Sequence, residues 1–410
     1  MKQILVIGGG AAGLAAAITA ARQAPDARVT VLERLDRVGK KLLATGNGRC
    51  NLTNLHASPA RFHSRDSGAL RQVMKGMEPR KSLDFFASLG LLCRQEDEGR
   101  VYPKCNQASM VVDVLLQELE RLDIRTQCGC TVRGIRPGRN EWIVETEGDA
   151  LTADAVILTT GGKAAPKLGS DGSGYAIAKA LGHSCTPLYP ALVALKCDRN
   201  GLSGLKGIRA EAGLTLLAGS RVLGRDTGEI QFTDYGLSGI PAMQLSGRLA
   251  GLRPGERCTA LVDLFPEWPL ETLVRELKAR QKRQATLETL LLGTVHKRLA
   301  YAVLKSIGLQ PLSRPSASLS GGDLQRLADS LKAWRFRVTG TQGWDAAQVT
   351  GGGIPLDEVD PDTMESRLQP GLYLAGELLD VAGDCGGFNL HWAWCSGIRA
   401  GRSAGTRCRR

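Results

Sequence analysis

Apolar residues open the chain in two short strand-length blocks with a helical block between them. Gln3–Ile7 is an unbroken apolar run, Ala11–Gln23 is alanine-rich and of helical length, and Arg28–Leu32 is a second apolar run that stops at Glu33. Strand, helix and strand in that order predict a βαβ unit, whose crossover makes the two strands parallel. A Gly- and Asn-rich stretch at 39–54 breaks the pattern, and helical periodicity returns at 80–89 and 108–122. Alternation at 131–135 and 142–146 predicts antiparallel strands. Another buried strand at 155–159 runs into Gly161-Gly162 and a helix at 174–181.

The character changes from about residue 192. Short strand-like segments separated by glycine turns, such as 212–218, occupy 192–265. A helical, Lys- and Arg-rich stretch follows over 270–332, and 334–349 is strand-like again. The doubly wound pattern resumes at 372–375, which leads through Gly376-Glu377 and the Gly386-Gly387 turn into a helix at 390–403. The fold class is therefore α/β. A Rossmann-like doubly wound domain (1–191 with 350–410) carries an inserted β-rich domain (192–268 with 333–349) and a helical subdomain (269–332).

Three segments carry candidate chemistry. Gly8, Gly10 and Gly13 form GxGxxG between a strand and a helix, with Ala12 inside the helix start. The first glycine permits the tight turn, the second lets a pyrophosphate reach the backbone, and the third lets helix and strand pack closely. The helix start offers N–H groups and a partial positive charge to that pyrophosphate. Glu33, with Arg34 after it, closes the second strand about twenty residues on, where a carboxylate accepts ribose hydroxyls. An acid there disfavours a 2′-phosphate, which leaves FAD or NAD. The 39–54 loop points to FAD. Lys41, Thr45, Gly46, Asn47, Gly48, Arg49 and Asn51 offer backbone N–H groups and polar heads suited to a pyrophosphate and the edge of a flavin. At the far end, the Gly376-Glu377 to Asp380 segment repeats the anion-binding logic, and Asp380 or Glu377 offers a carboxylate to the ribitol hydroxyls. Gly386, Gly387, Phe388 and Asn389 open a helix whose N-terminus faces the flavin N1–O2 edge. Val132, Thr160 and Gly161 complete the expected cofactor set.

Composition narrows the class. With 43% hydrophobic residues the chain buries a sizeable core, which excludes disorder. Eleven cysteines without a CxxC pair read as small hydrophobes in a reduced cytoplasmic protein, and five scattered histidines give no metal site. No apolar run reaches the ~18 residues of a membrane span, so no membrane partner is expected. The formal charge of +12 favours a polyanionic partner as well as an anionic cofactor.

These segments together resemble the BaiN/RdsA family of NAD(P)/FAD-dependent flavoproteins, some labelled aminoacetone oxidases. The resemblance runs over GGGAAG at 8–13, GKKLLATGNGRCNLTN at 39–54, TTGG at 159–162, GSDGSGYAIAKALGH at 169–183, FTDYGLSG at 232–239, VTGGG at 349–353 and LYLAGELLDVAGDCGGFNLHWAWCSG at 372–397. The sequence departs from the family at Cys385, where a plain turn residue is more usual. The resemblance implies an FAD domain with an inserted β-barrel-like domain and a small helical domain. It also implies one of three activities: reduction of a large-subunit ribosomal RNA uridine to dihydrouridine, reduction of a bile-acid enone, or oxidation of a small amine.

Cys50, beside Arg49, is a candidate proton donor if the guanidinium lowers its pKa, and His391 is a second candidate, one turn into the last helix. Tyr235, with Ser238, is a third, from the inserted domain. The basic segment 275–283, with Arg275, Lys278, Arg280, Lys282 and Arg283, reads as a solvated face or an RNA-contacting surface. The resulting expectation is a cytoplasmic, monomeric FAD reductase of an electron-poor C=C bond. NAD(P)H serves as a transient donor, since no second GxGxxG provides it a domain. Ribosomal RNA uridine leads as substrate, a small enone comes second, and a small-amine oxidase or a non-catalytic flavin-bearing RNA-binding factor are the remaining readings.

Overall fold

A strand that is apolar on both faces needs cover on both faces. In a computed structural model, which describes residues 1–409, β1 (Gln3–Ile7) receives it at the centre of a five-stranded parallel sheet. α1 (Ala11–Gln23) crosses from β1 to β2 (Arg28–Leu32), and β3 (Arg125–Gln127) lies at the edge beyond β2. A three-stranded antiparallel meander, β4 (Val132–Pro137), β5 (Trp142–Thr146) and β6 (Leu151–Ala153), leads into β7 (Ala155–Leu158), which pairs with the other side of β1. The late strand Leu372–Leu374 adds to β7, so a segment more than 200 residues downstream completes the sheet.

The last helix, Phe388–Cys408, starts two residues earlier and ends five later than the sequence pattern predicts. Gly397, Gly401 and Gly405 sit four apart along it, where interior glycines ordinarily weaken a helix. Here they let two backbones touch. A Cβ at Gly397 would lie 2.3 Å from the Ala12 carbonyl oxygen, and one at Gly401 would lie 2.2 Å from that of Ala16. The pairing 397 with 12 and 401 with 16 also shows that the two helices run parallel. The last helix therefore begins eight residues, roughly 12 Å, before the start of α1.

The chain divides into two units, Met1–Pro190 with Gln348–Arg410, and Ala191–Ala347. The second contains a closed antiparallel barrel of β8 (Leu195–Cys197), β9 (Arg209–Ala218), β10 (Arg221–Phe232), β11 (Gly236–Gly239), β12 (Cys258–Asp263) and β13 (Trp334–Thr341), in the order β8-β11-β10-β9-β12-β13. Side chains fill it: Trp334 and Phe336 have ring centroids 4.7 Å apart, and Phe232 packs against both. The helices α2 (Leu270–Arg283), α3 (Lys297–Ser306) and α4 (Gly321–Lys332) bury Leu273, Leu277, Leu299, Val303, Leu327 and Leu331 in the same core as the barrel. They have no separate core. Among the described residues, no helix is long and apolar enough to cross a membrane, and no group of three or more metal-ligating side chains gathers.

Candidate functional site

The first unit gathers the cofactor candidates at the carboxyl end of β1. Gly8 turns the chain at φ +105°, and a Cβ there would sit 2.5 Å from the Thr159 carbonyl oxygen. A Cβ at Gly13 would sit 1.9 Å from that of Gly8, whereas one at Gly10 meets no heavy atom within 4 Å. So two glycines are required for packing, and the third leaves open space before the α1 N-terminus, where an anion is best held. Glu33 is fixed beneath the loop: its carboxylate accepts from Gly9 N–H at 2.7 Å and Leu35 N–H at 2.8 Å. Each oxygen keeps a lone pair for a ribose hydroxyl.

In the 39–54 loop, Gly46, Asn47, Gly48 and Cys50 all have positive φ, a coil that ordinary side chains avoid. Thr45 Oγ1 donates to Leu42 O at 2.6 Å. The charged heads turn to protein partners. Lys41 Nζ binds Glu377 at 2.8 Å and Ala164 O at 3.1 Å, and Arg34 binds Asp171 at 2.6 Å and the Gly169 carbonyl. Arg49 pairs with Glu96 and lies 4.0 Å over the Tyr102 ring. Lys41–Glu377 thus ties the N-terminal loop to the C-terminal segment, and Glu377 also accepts from Thr350 N–H at 2.8 Å. Thr350 Oγ1 in turn accepts from the N–H groups of Lys163 and Ala164. Val132 is half-buried at the start of β4, and Gly376 donates its N–H to Ser396 Oγ at 3.0 Å.

The last helix begins at Gly387, where a Cβ would meet Thr53 O at 2.6 Å and Asn51 Oδ1 at 2.7 Å. Asn389 closes the preceding turn, accepting from Gly383 N–H at 2.7 Å and donating to Gly383 O at 2.9 Å, while Phe388 packs edge-on against Phe62. Asp380 is buried and accepts from Arg65 N–H at 3.0 Å, yet burial raises its pKa above the ordinary carboxylate range.

Two buried side-chain oxygens lack a hydrogen-bond partner among the described residues, Asn51 Oδ1 and Thr160 Oγ1. Both lie in this cradle, one beside the last helix's N-terminus and the other just after β7. Buried polar atoms are almost always satisfied. Two orphans here, with open space at Gly10 and two helix N-termini in one cradle, fit a dinucleotide flavin. FAD bound here supplies a two-electron, hydride-transferring centre.

The protein-family model described as HI0933-like protein Rossmann domain matches residues 2–403. The chain belongs to that family. This HI0933-like protein is an FAD-dependent oxidoreductase. It is 41% identical over 410 residues to the 3-dehydro-bile acid delta(4,6)-reductase of Clostridium scindens, with 99% of this chain and 100% of the relative covered. It is 30% identical over 398 residues to the ribosomal RNA dihydrouridine synthase of Escherichia coli, covering 96% and 95%. Among solved structures, 3-ketosteroid delta1-dehydrogenase from Sterolibacterium denitrificans is similar with a TM-score of 0.50 at 13% identity, covering 99% of this chain and 100% of that one. That last likeness is one of fold alone.

Two candidate proton donors, Cys50 and His391, sit in enclosed surroundings. Cys50 is fully buried, and burial pushes its thiol up to about 12; the Arg49 head is engaged with Glu96 and Tyr102 and does not lower it. His391 is also fully buried. Its Nδ1 is bonded to Thr53 Oγ1 (2.9 Å) and Ser82 Oγ (3.0 Å), its Nε2 to Met77 O (2.8 Å), and burial lowers its pKa. The ring pins the last helix to the 53–82 region. Tyr235 is half-buried in the barrel unit, on the turn between β10 and β11.

Sequence reasoning passed over His63 and Asp384. The two-residue strands Phe62–His63 and Ala382–Gly383 pair antiparallel, and His63 Nε2 lies 2.7 Å from Asp384 Oδ1. Only the topology signals this, since 321 residues separate them.

Asp380 gives a sign-definite prediction. Its pKa is raised on folding, so the folded state holds its proton more tightly, and the ionised carboxylate costs stability above that raised pKa. Asp380→Asn removes the charge and keeps an acceptor for Arg65. The flavin-free variant should melt above wild type at pH 7, with a gap that narrows as pH falls toward 4. FAD affinity should drop by about 1.5–3 kcal/mol, the loss of a charge-assisted hydrogen bond to ribitol. Calorimetry and flavin titration read both quantities.

Proposed function

We propose that this protein is a cytoplasmic, monomeric reductase that takes electrons from NAD(P)H through FAD and adds hydride and a proton to a C=C bond conjugated with a carbonyl, and that its substrate is a uridine of large-subunit ribosomal RNA. Charge placement carries the substrate choice. Residues 191–347 hold 22 Lys and Arg against 14 Asp and Glu, which is +8 of the chain's +12. On α2, Arg275, Lys278 and Lys282 are exposed at helical i, i+3, i+7 spacing and form no ion pair among the described residues. Such a stripe suits a phosphate backbone, where each neutralised phosphate releases counterions.

A small cyclic enone is the second reading, favoured by the full-length 41% likeness to a bile-acid reductase. The chemistry is shared, because uridine C5=C6 and a steroid 4-ene are both conjugated to a ring carbonyl. The test is incubation of the purified enzyme and NAD(P)H with a large-subunit ribosomal RNA fragment and, separately, with a 3-oxo-4,6-diene bile acid. Dihydrouridine in the RNA supports the first reading. Saturation of the steroid with unchanged RNA replaces it with the second.

A further inference from the structure

Reducing a conjugated C=C requires a proton as well as a hydride, and Cys50 and His391 are both fully buried, whereas His63 is partly open. We infer that the His63–Asp384 dyad, held against the turn that starts the last helix, is the proton donor. This rests on the C=C reductase reading above.

The dyad is built as an orienting carboxylate and a working imidazole. Asp384 is buried, 8% exposed, while the His63 side chain is 39% exposed. Asp384 Oδ1 holds Nε2 at 2.7 Å, and Nδ1 has no hydrogen-bond partner among the described residues. Three constraints fix the pair. Asp384 N–H donates to Arg61 O at 2.9 Å, Ala382 and His63 are paired strand residues, and Asn389 closes the turn onto Gly383 and Asp384. Asp384 stands three residues before Gly387, the N-cap of the last helix, beside which the orphan Asn51 Oδ1 lies. Phe62 turns inward onto Phe388, so strand alternation presents His63 on the opposite, open side. The charged groups around the ring are Asp384 and Arg61 (3.4 Å from Asp384 Oδ2), with Arg65 and its partner Asp380 beyond.

The step balances as follows. Bound FAD, reduced by NAD(P)H, would supply the hydride for a C–H bond at the carbon β to the carbonyl. The π pair, delocalised toward the carbonyl, takes the Nδ1 proton of His63 to form a C–H bond at the α carbon. His63 is left neutral with Nε2–H on Asp384, and solvent reprotonates Nδ1. The sum is alkene, NAD(P)H and one proton giving saturated product and NAD(P)⁺.

The test uses the holoenzyme and His63→Gln, with Asp384→Asn as a second variant. FAD occupancy and anaerobic flavin reduction by NAD(P)H should match wild type. Reoxidation of the reduced flavin by the alkene that wild type reduces should slow 10²–10⁴-fold, on the order of a lost general acid. In Asp384→Asn, which keeps the imidazole but removes the carboxylate that orients it, the same step should slow while the KM for the alkene holds. Independently of turnover, diethyl pyrocarbonate should modify His63 in flavin-free protein several-fold faster than in the FAD-loaded form. An unchanged reoxidation rate in His63→Gln, or no protection by FAD, overturns the dyad while leaving the reductase reading intact. A wild type that reduces neither RNA uridine nor enone overturns both.

Discussion

Gly401→Val is expected to abolish folded, flavin-loaded protein. A Cβ at this position would lie 2.2 Å from the Ala16 carbonyl oxygen and 2.8 Å from the Ala16 Cα, distances that real side chains do not adopt. Overpacking ordinarily costs about 1–3 kcal/mol because neighbours shift. Here the neighbour is the backbone of α1, whose buried face of Leu14, Ala15, Ile18 and Ala21 fixes it in the main core, so the cost should exceed about 3 kcal/mol. α1 also carries at its N-terminus the glycine turn proposed to hold the pyrophosphate, so any separation of the helices should disturb that site too. Gly405→Val should be somewhat milder only because its contacts are longer: a Cβ there would lie 2.7 Å from Gln23 Cβ, which moves only with its backbone, and 2.9 Å from the Ala20 carbonyl oxygen. Melting temperature and bound flavin per chain measure both variants. A Gly401→Val protein that melts with wild type and stays yellow would mean the helices do not touch as described.

Reversing charge at Arg275, Lys278 and Lys282 on α2 should weaken binding to a ribosomal RNA fragment and flatten the slope of log affinity against log salt by roughly two to three units, close to one per lost phosphate contact. The sequence suggested Arg280 for this role. The structure gives that residue other work: its side chain binds Glu276 at 3.0 Å and the Leu292 carbonyl at 2.9 Å, so its loss would disturb the helical layer. The three exposed residues leave that layer alone. FAD content and reduction of a small enone should therefore be unaffected. Equal losses of RNA binding and enone turnover would indicate a folding defect, and an unchanged salt slope would move the RNA surface elsewhere.

How much of this was legible in the sequence follows from the range of each signal. The βαβ start was readable because Gly8, Gly10, Gly13 and Glu33 act within one local unit, with spacing set by backbone geometry. The return of the sheet at 372–374 was readable because its apolar run demanded cover on both faces. The last helix was under-measured because Gly397, Gly401 and Gly405 look like helix breakers until α1 is known to lie against them. The enclosure of Cys50 and His391 was not legible for a related reason. Both stand among residues suited to flavin chemistry, but whether a group is open or enclosed depends on segments far away, such as Thr53, Met77 and Ser82 around His391. His63 escaped notice because nothing near it in sequence is unusual. Its partner arrives from the opposite end of the chain.

The central claim is most directly tested by mapping dihydrouridine in large-subunit ribosomal RNA from cells with and without this gene, together with rescue by wild type and by His63→Gln. One dihydrouridine should disappear with the gene, return with wild type, and fail to return with the flavin-loaded His63→Gln protein. An identical dihydrouridine map in the presence and absence of the gene would contradict the central claim.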